Sequence, residues 1–260
     1  MTPAAEATAA AGEGAHWAAP WYTGCRVLVT GSTSGIGAAI ARGFLAAGAA
    51  VTATGATARE VEAAKADPVL GKADIAMLDV RDGEAVRGLV ESHDRLDVVV
   101  NCAGVIRRQE EHDPEVFASV IDINLTGSMR VCAAARPLLA KSPIRAIVNT
   151  ASMLSFFGGG LVPAYSASKG GISQMTKSLA IAYAADGIRV NAIAPGWIAT
   201  ALTEALQKDE TRASAILSRT ALGRWGQPDD LAGPVLFLCS PAAAFVTGAI
   251  LPVDGGYAIV

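Results

Sequence analysis

Thr30-Gly31-Ser32-Thr33-Ser34-Gly35-Ile36-Gly37 joins an apolar run, residues 25–30 (CRVLVT), to a helically patterned segment, residues 36–47, that Gly48 closes. A turn of this kind, leaving a strand and opening a helix, sits at the carboxyl edge of a sheet. The helix N-terminus there offers unpaired N–H groups and a partial positive charge. Residues without Cβ let the backbone approach a pyrophosphate. The spacing is GxxxGxG. Read alone, it also fits a tight strand–helix turn that binds nothing.

Outward from this turn the pattern alternates strictly. Strands are expected at 25–30, 50–54, 74–80, 96–101, 144–151, 188–194 and 250–253. Helices are expected at 36–47, 59–66, 83–92, 114–140, 164–185, 200–217 (with a break) and 228–239. Strands that alternate with helices, and read as continuous apolar runs, predict a parallel sheet covered on both faces. The fold class is therefore α/β, a single-domain Rossmann-type doubly wound parallel sheet over residues 23–260. Residues 1–22 are Ala-rich, without the basic and apolar regions of a secretory signal, and read as a flexible N-terminal extension.

Of the 260 residues, 52% are hydrophobic and 17% charged, which excludes a disordered chain. No uninterrupted apolar run reaches membrane-spanning length, so no membrane span is expected. A net charge of −3 and a pI near 5.6 argue against nucleic-acid and anionic-membrane partners. Four scattered cysteines without a CxxC pair argue against a disulfide framework and a zinc site. The three histidines share no ligand-like spacing, so no metal is expected. A cytoplasmic location is the expectation.

Tyr165-Ser-Ala-Ser-Lys169 opens one of the long helices. Residues i and i+4 share a helix face, about 6 Å apart along the axis. An ammonium beside a phenol favours phenolate, so Lys169 is expected to lower the Tyr165 pKa toward the working range of a general acid/base. Ser152 lies 13 residues before Tyr165, just after a strand, where its hydroxyl can donate to a carbonyl oxygen. Asn124 falls inside the helix at 114–140, where an Asn is mildly unfavourable.

Together these features resemble the short-chain dehydrogenase/reductase family, whose TGxxxGxG the glycine turn matches residue by residue. The resemblance covers residues 24–260. It implies a catalytic tetrad of Asn124, Ser152, Tyr165 and Lys169, with Asn124 holding a water in a proton relay. It implies a nicotinamide dinucleotide held by Gly31, Ser32, Thr33, Ser34, Gly35, Ile36 and Gly37, with Asp79 and Val80 at the adenine. Asn101-Cys102-Ala103-Gly104 matches the family's NNAG with Cys102 in place of the second Asn, and puts Asn101, Ala103 and Gly104 beside the cofactor. Pro195-Gly196-Trp197-Ile198-Ala199-Thr200 resembles PGxxxT. There Pro195, Gly196, Ile198 and Thr200 hold the nicotinamide end, with Lys169 and Tyr165 at its ribose.

An acidic residue after the second strand would bind the ribose diol and repel a 2′-phosphate. Here that position is Gly55, followed by Ala56, and no basic partner is obvious. The cofactor is NAD(P), leaning to NADP. For the substrate, Arg107, Arg108, Met153 and Trp197 are the candidate contacts. Arg107 and Arg108 suit a carboxylate, whereas Phe156, Phe157 and Trp197 suit an apolar or alicyclic ring. Residues 202–218 are read as the substrate lid. The loops resemble the 2-deoxy-D-gluconate 3-dehydrogenase branch, which implies a keto-deoxy sugar acid. A 3-oxoacyl-carrier-protein reductase and a non-catalytic dinucleotide-binding protein stay open. Apolar residues on several faces of the long helices, with the resemblance, imply a homotetramer.

Overall fold

The strands are β1 (Arg26–Thr30), β2 (Ala50–Gly55), β3 (Asp74–Met77), β4 (Val98–Asn101), β5 (Ala146–Thr150), β6 (Arg189–Pro195) and β7 (Ile250–Val253). In the computed structural model, which describes residues 16–260, they form one parallel sheet in the order β3-β2-β1-β4-β5-β6-β7. This is the expected seven-stranded doubly wound sheet. Strand side chains alternate between faces. Val27, Val29, Val98 and Val100 enter one core, with Ile40 and Phe44 of α2 (Gly35–Ala46) and Leu236 of α9 (Ala232–Cys239). Leu28, Val99 and Ile147 enter the other, with Val90 of α4 (Gly83–Glu91), Val131 and Leu139 of α5 (Pro114–Leu139) and Leu179 of α6 (Pro163–Ala182). Strand order reverses between β1 and β4. That is the crevice where open α/β sheets bind ligands.

The helix at 114–140 is continuous but not uniform. Asp122–Thr126 forms a wide π-type turn, and Asn124 sits within it. Such one-turn insertions re-aim side chains inside a helix and recur at functional sites. By length and mean hydropathy α5 could cross a membrane. Its packing argues otherwise: Val131, Cys132 and Leu139 are buried in the core, while Arg130 pairs with Asp122 and Arg136 with Asp186.

Two expectations need correction. The extension does not run to residue 22. Residues 1–15 lie outside the described residues, but α1 (Ala19–Tyr22) is part of the domain. Tyr22 is fully buried, its hydroxyl donates to Leu236 O, and its ring meets Phe44 edge-on at 5.0 Å. A short aromatic segment inside an Ala-rich stretch gives no periodicity, so its burial was not legible. The third strand ends at Met77, not at residue 80. Asp79 there accepts from the Arg81 N–H at 3.0 Å, which turns the chain out of the sheet. The helical stretch expected at 200–217 is broken as expected: α7 (Glu204–Lys208) and α8 (Glu210–Arg219) meet at Asp209, whose carboxylate caps α8 by accepting from Arg212 N.

Candidate active site

The nucleotide side is a backbone cradle. Gly31 and Gly35 take φ of +59° and +55°, the left-handed region that favours glycine. A Cβ on Gly31 would lie 2.5 Å from Ala103 Cα, and one on Gly37 would lie 2.3 Å from Gly31 O. Ser32 is buried and structural: its hydroxyl donates to Val29 O at 2.6 Å and accepts from Thr54 N at 3.0 Å. Ser34 is the N-cap of α2, with its side chain making no cap bond. Gly35 faces the Thr200 methyl, which brings the glycine turn against the segment after β6. Gly55 ends β2, where a Cβ would meet the Thr33 side chain at 2.6 Å, so Thr33 fills the space an acidic residue would need. The residues therefore fit a dinucleotide laid along the β1 and β4 edges. Asp79 is held by the Arg81 guanidinium, whose hydrogen bond keeps its carboxyl below the usual range. Val80 is buried, packed where Gly127 of α5 leaves room.

Asn101 is buried. It donates to Asn149 Oδ1 at 2.9 Å, and its own Oδ1 has no partner. Cys102 stands where the family pattern has Asn. Its Sγ accepts from the Thr150 hydroxyl at 3.3 Å, and desolvation pushes its thiol up to about 11.

Asn124, Ser152, Tyr165 and Lys169 converge at the carboxyl ends of β4 and β5. A Cβ on Gly104 would lie 3.3 Å from Asn124 Oδ1 and 3.8 Å from Lys169 Nζ. The Asn124 side chain makes three hydrogen bonds. Its Oδ1 accepts from Val105 N at 2.8 Å, and its Nδ2 donates to Val105 O at 3.0 Å and Ser168 Oγ at 3.1 Å. This amide clamps the loop after β4 onto α5. Lys169 Nζ donates to Thr150 O at 2.7 Å and lies 5.4 Å from the Tyr165 ring centroid.

The electrostatics differ from the sequence expectation. Desolvation holds the Tyr165 phenol above its ordinary value. The Ser152 hydroxyl and the Arg108 charge oppose that rise, and the Glu111 carboxylate adds to it. Lys169 is itself lowered, to about 8, chiefly by desolvation. Burial thus outweighs the Ser152 hydrogen bond and the Arg108 charge.

Glu111 was not found from the sequence, because nothing in its neighbourhood marks a buried carboxylate. It is 1% exposed and ties two segments together, accepting from Arg107 N and from Tyr165 N, each at 2.8 Å. At the start of α6 it supplies the cap that Val162 lacks.

A cavity of about 650 Å³ opens over this cluster. Ile36, Pro195, Gly196, Ile198 and Thr200 line it, as do Ser152, Tyr165, Arg108, Met153 and Trp197. Arg107 does not: its side chain is exposed, and only its backbone is held, by Glu111. Arg212 and Arg219 of α8 and Tyr257 also line the cavity. The sequence reading missed them because they arrive from distant segments. The Arg219 guanidinium stacks 4.5 Å over the Tyr257 ring.

A family model described as enoyl-(acyl carrier protein) reductase matches residues 31–258. The 2-dehydro-3-deoxy-D-gluconate 5-dehydrogenase of Bacillus subtilis is 41% identical over 241 residues, covering 90% of this chain and 94% of that protein. The chain belongs to the short-chain dehydrogenase/reductase family. Like other members of this family it is an NAD(P)-dependent oxidoreductase acting on alcohol or ketone groups. The cis-4-hydroxycyclohexanecarboxylate dehydrogenase of Sinomonas cyclohexanicum is 39% identical over 241 residues, covering 90% of this chain and 96% of that one. The structure of a gluconate 5-dehydrogenase from Burkholderia cenocepacia in complex with NADP and tartrate superposes with a TM-score of 0.85. It is 33% identical and covers 92% of this chain and 97% of that one.

Proposed function

We propose that this short-chain dehydrogenase/reductase interconverts a secondary alcohol and a ketone that carry a carboxylate, with Asn124, Ser152, Tyr165 and Lys169 as its working residues. One observation carries the reading: the Ser152 and Tyr165 hydroxyls and the Arg108 guanidinium line one cavity, beside Lys169. Ser152 donates to the substrate oxygen. Tyr165 takes the carbinol proton in oxidation and returns it in reduction. Lys169, fixed on Thr150 O, holds the nicotinamide ribose, and Asn124 holds the Gly104–Val105 backbone in place. When bound, the nicotinamide accepts or supplies the hydride. Arg108 makes one hydrogen bond, from Nη1 to Leu202 O at 2.9 Å, which leaves its remaining N–H groups to take the substrate carboxylate. The substrates in the names of two relatives, a deoxy-ketogluconate and a hydroxycyclohexanecarboxylate, share that pair of groups.

The missing carboxylate at Gly55 supports NADP over NAD, and Arg59, exposed on α3 (Ala58–Lys65), is the nearest cation in sequence. Exposed Ile181 on α6 and exposed Phe245 support a homotetramer. Light scattering of the purified protein checks the assembly, and matched kinetics with both dinucleotides check the cofactor.

The deciding experiment is Tyr165→Phe. Turnover of every hydroxy acid that the parent oxidises falls by about 10³-fold or more, while dinucleotide affinity measured by fluorescence is retained. A variant that turns over like the parent sinks the proposal. Parent activity on acetoacetyl thioesters alone favours the carrier-protein reductase reading instead.

A further inference from the structure

The substrate end of the cavity is unbalanced in hydrogen-bonding character. Among the described residues lining it there is no Asp, Glu, Asn, Gln or His. Several of the hydroxyls are already engaged. Thr203 Oγ1 donates to Ile198 O at 2.6 Å and accepts from Thr200 N and Gln207 Nε2. The Thr150 hydroxyl donates to Cys102 Sγ, and Ser152 Oγ accepts from Leu154 N at 3.2 Å.

Two further groups can only donate. Trp197 Nε1 is buried with no partner, and Arg108 keeps all but one of its N–H groups. Much of the remaining surface is hydrocarbon: Ile106, Met153, Leu154, Leu206 and Ile216, with Phe157 closing one side. A polyol body would carry several hydroxyl protons into a wall with few free acceptors, and burying a hydroxyl unpaired is unfavourable. A carboxylate only accepts, and so matches the unmet donors. A hydrocarbon body gains by burial in proportion to its area.

Resting on the assignment of Tyr165 and Arg108 above, we propose that the substrate is a secondary hydroxy acid, or its oxo counterpart, whose body between carbinol and carboxylate is hydrocarbon, typically an alicyclic ring, and not a polyhydroxylated sugar acid. The carboxylate takes the Arg108 guanidinium and the Trp197 N–H. The ring lies on Met153, Leu206 and Ile216. The carbinol oxygen meets Ser152 and Tyr165. In oxidation the carbinol carbon loses its hydrogen as hydride to NAD(P)⁺ and the oxygen loses its proton to Tyr165. A C=O bond forms, and NAD(P)H leaves with the electron pair.

The test is steady-state kinetics of the intact protein with NADP⁺ and with NAD⁺. The panel is cis- and trans-hydroxycyclohexanecarboxylates, cyclohexanol, gluconate and, in the reductive direction, 2-dehydro-3-deoxygluconate. The best alicyclic acid is expected to exceed both sugar acids in kcat/KM by ~100-fold, the scale on which a site rejects a ligand whose polar groups it leaves unpaired. Cyclohexanol, lacking the carboxylate, falls below the acid by ~10-fold or more. Trp197→Phe keeps the ring, removes the donor, and raises KM for the acid by roughly 10-fold with kcat little changed. A sugar acid turned over as well as the alicyclic acid, and lost in Tyr165→Phe, overturns the proposal and leaves the acid/base assignment standing. Turnover that survives Tyr165→Phe overturns the assignment beneath it. No turnover of any acid overturns both.

Discussion

The two sides of the cleft are built by different means. The nucleotide side is main chain brought into close approach, at Gly31 against Ala103 and at Gly37 against the Gly31 carbonyl. The substrate side is side chains delivered by five separated segments: the loop after β4, the loop before α6, the segment after β6, helix α8, and the segment after β7 that carries Tyr257. A backbone cradle tolerates almost no substitution and reads one ligand. A side-chain wall can be repainted residue by residue while the chemistry beneath it stays.

That contrast can be broken, first and most severely, on the nucleotide side. Gly37→Ala puts a Cβ 2.3 Å from a carbonyl oxygen that cannot retreat. Dinucleotide affinity is expected to fall by about 100-fold or more, with the turn displaced. Equilibrium fluorescence titration measures it, and parent-like affinity would show that the cradle is looser than its geometry. On the substrate side, Arg108→Gln should raise KM for a carboxylated substrate by about 10- to 100-fold and leave cofactor affinity alone. An unchanged KM would remove Arg108 from recognition.

The line between the two sides is drawn by protonation. Because Tyr165 is held above its ordinary value by desolvation, the phenol is protonated at neutral pH. Oxidation needs phenolate and reduction needs phenol. So kcat/KM for oxidation should climb with pH above neutrality, while reduction holds through neutrality and declines only in alkali. Lys169 discharges as pH rises through about 8, so the ribose contact proposed for it should weaken over the same range and the KM for dinucleotide should rise. Paired pH profiles check both signs, and an oxidative profile flat across that window contradicts them. The smallest effect lies far from the cleft. Tyr22→Phe removes a buried hydrogen bond to Leu236 O and should cost roughly 1–2 kcal/mol in denaturant unfolding without touching kinetics.

The same contrast explains what the sequence could disclose. A cradle of close approaches demands glycine at fixed spacing, so the turn at residues 30–37 was legible, as were the alternation of strands and helices and the Tyr165–Lys169 pair. The sign of the Tyr165 shift was not, because i, i+4 spacing reports the neighbour but not the burial of both groups. Arg107 and Arg108 read alike in sequence. Only the fold distinguishes them, turning Arg108 into the cavity and leaving Arg107 outside. Arg219, Tyr257 and Glu111 carry no local signature, since each matters through a partner distant in the chain. The buried Tyr22 was masked by the alanine-rich residues around it.

Glu111 has an evolutionary consequence. One carboxylate anchors both the segment that chooses the ligand and the first turn of the helix that performs the proton transfer. Grafting a relative's recognition segment onto this chain would sever that tether and misplace the phenol, so selectivity and reactivity must be inherited together.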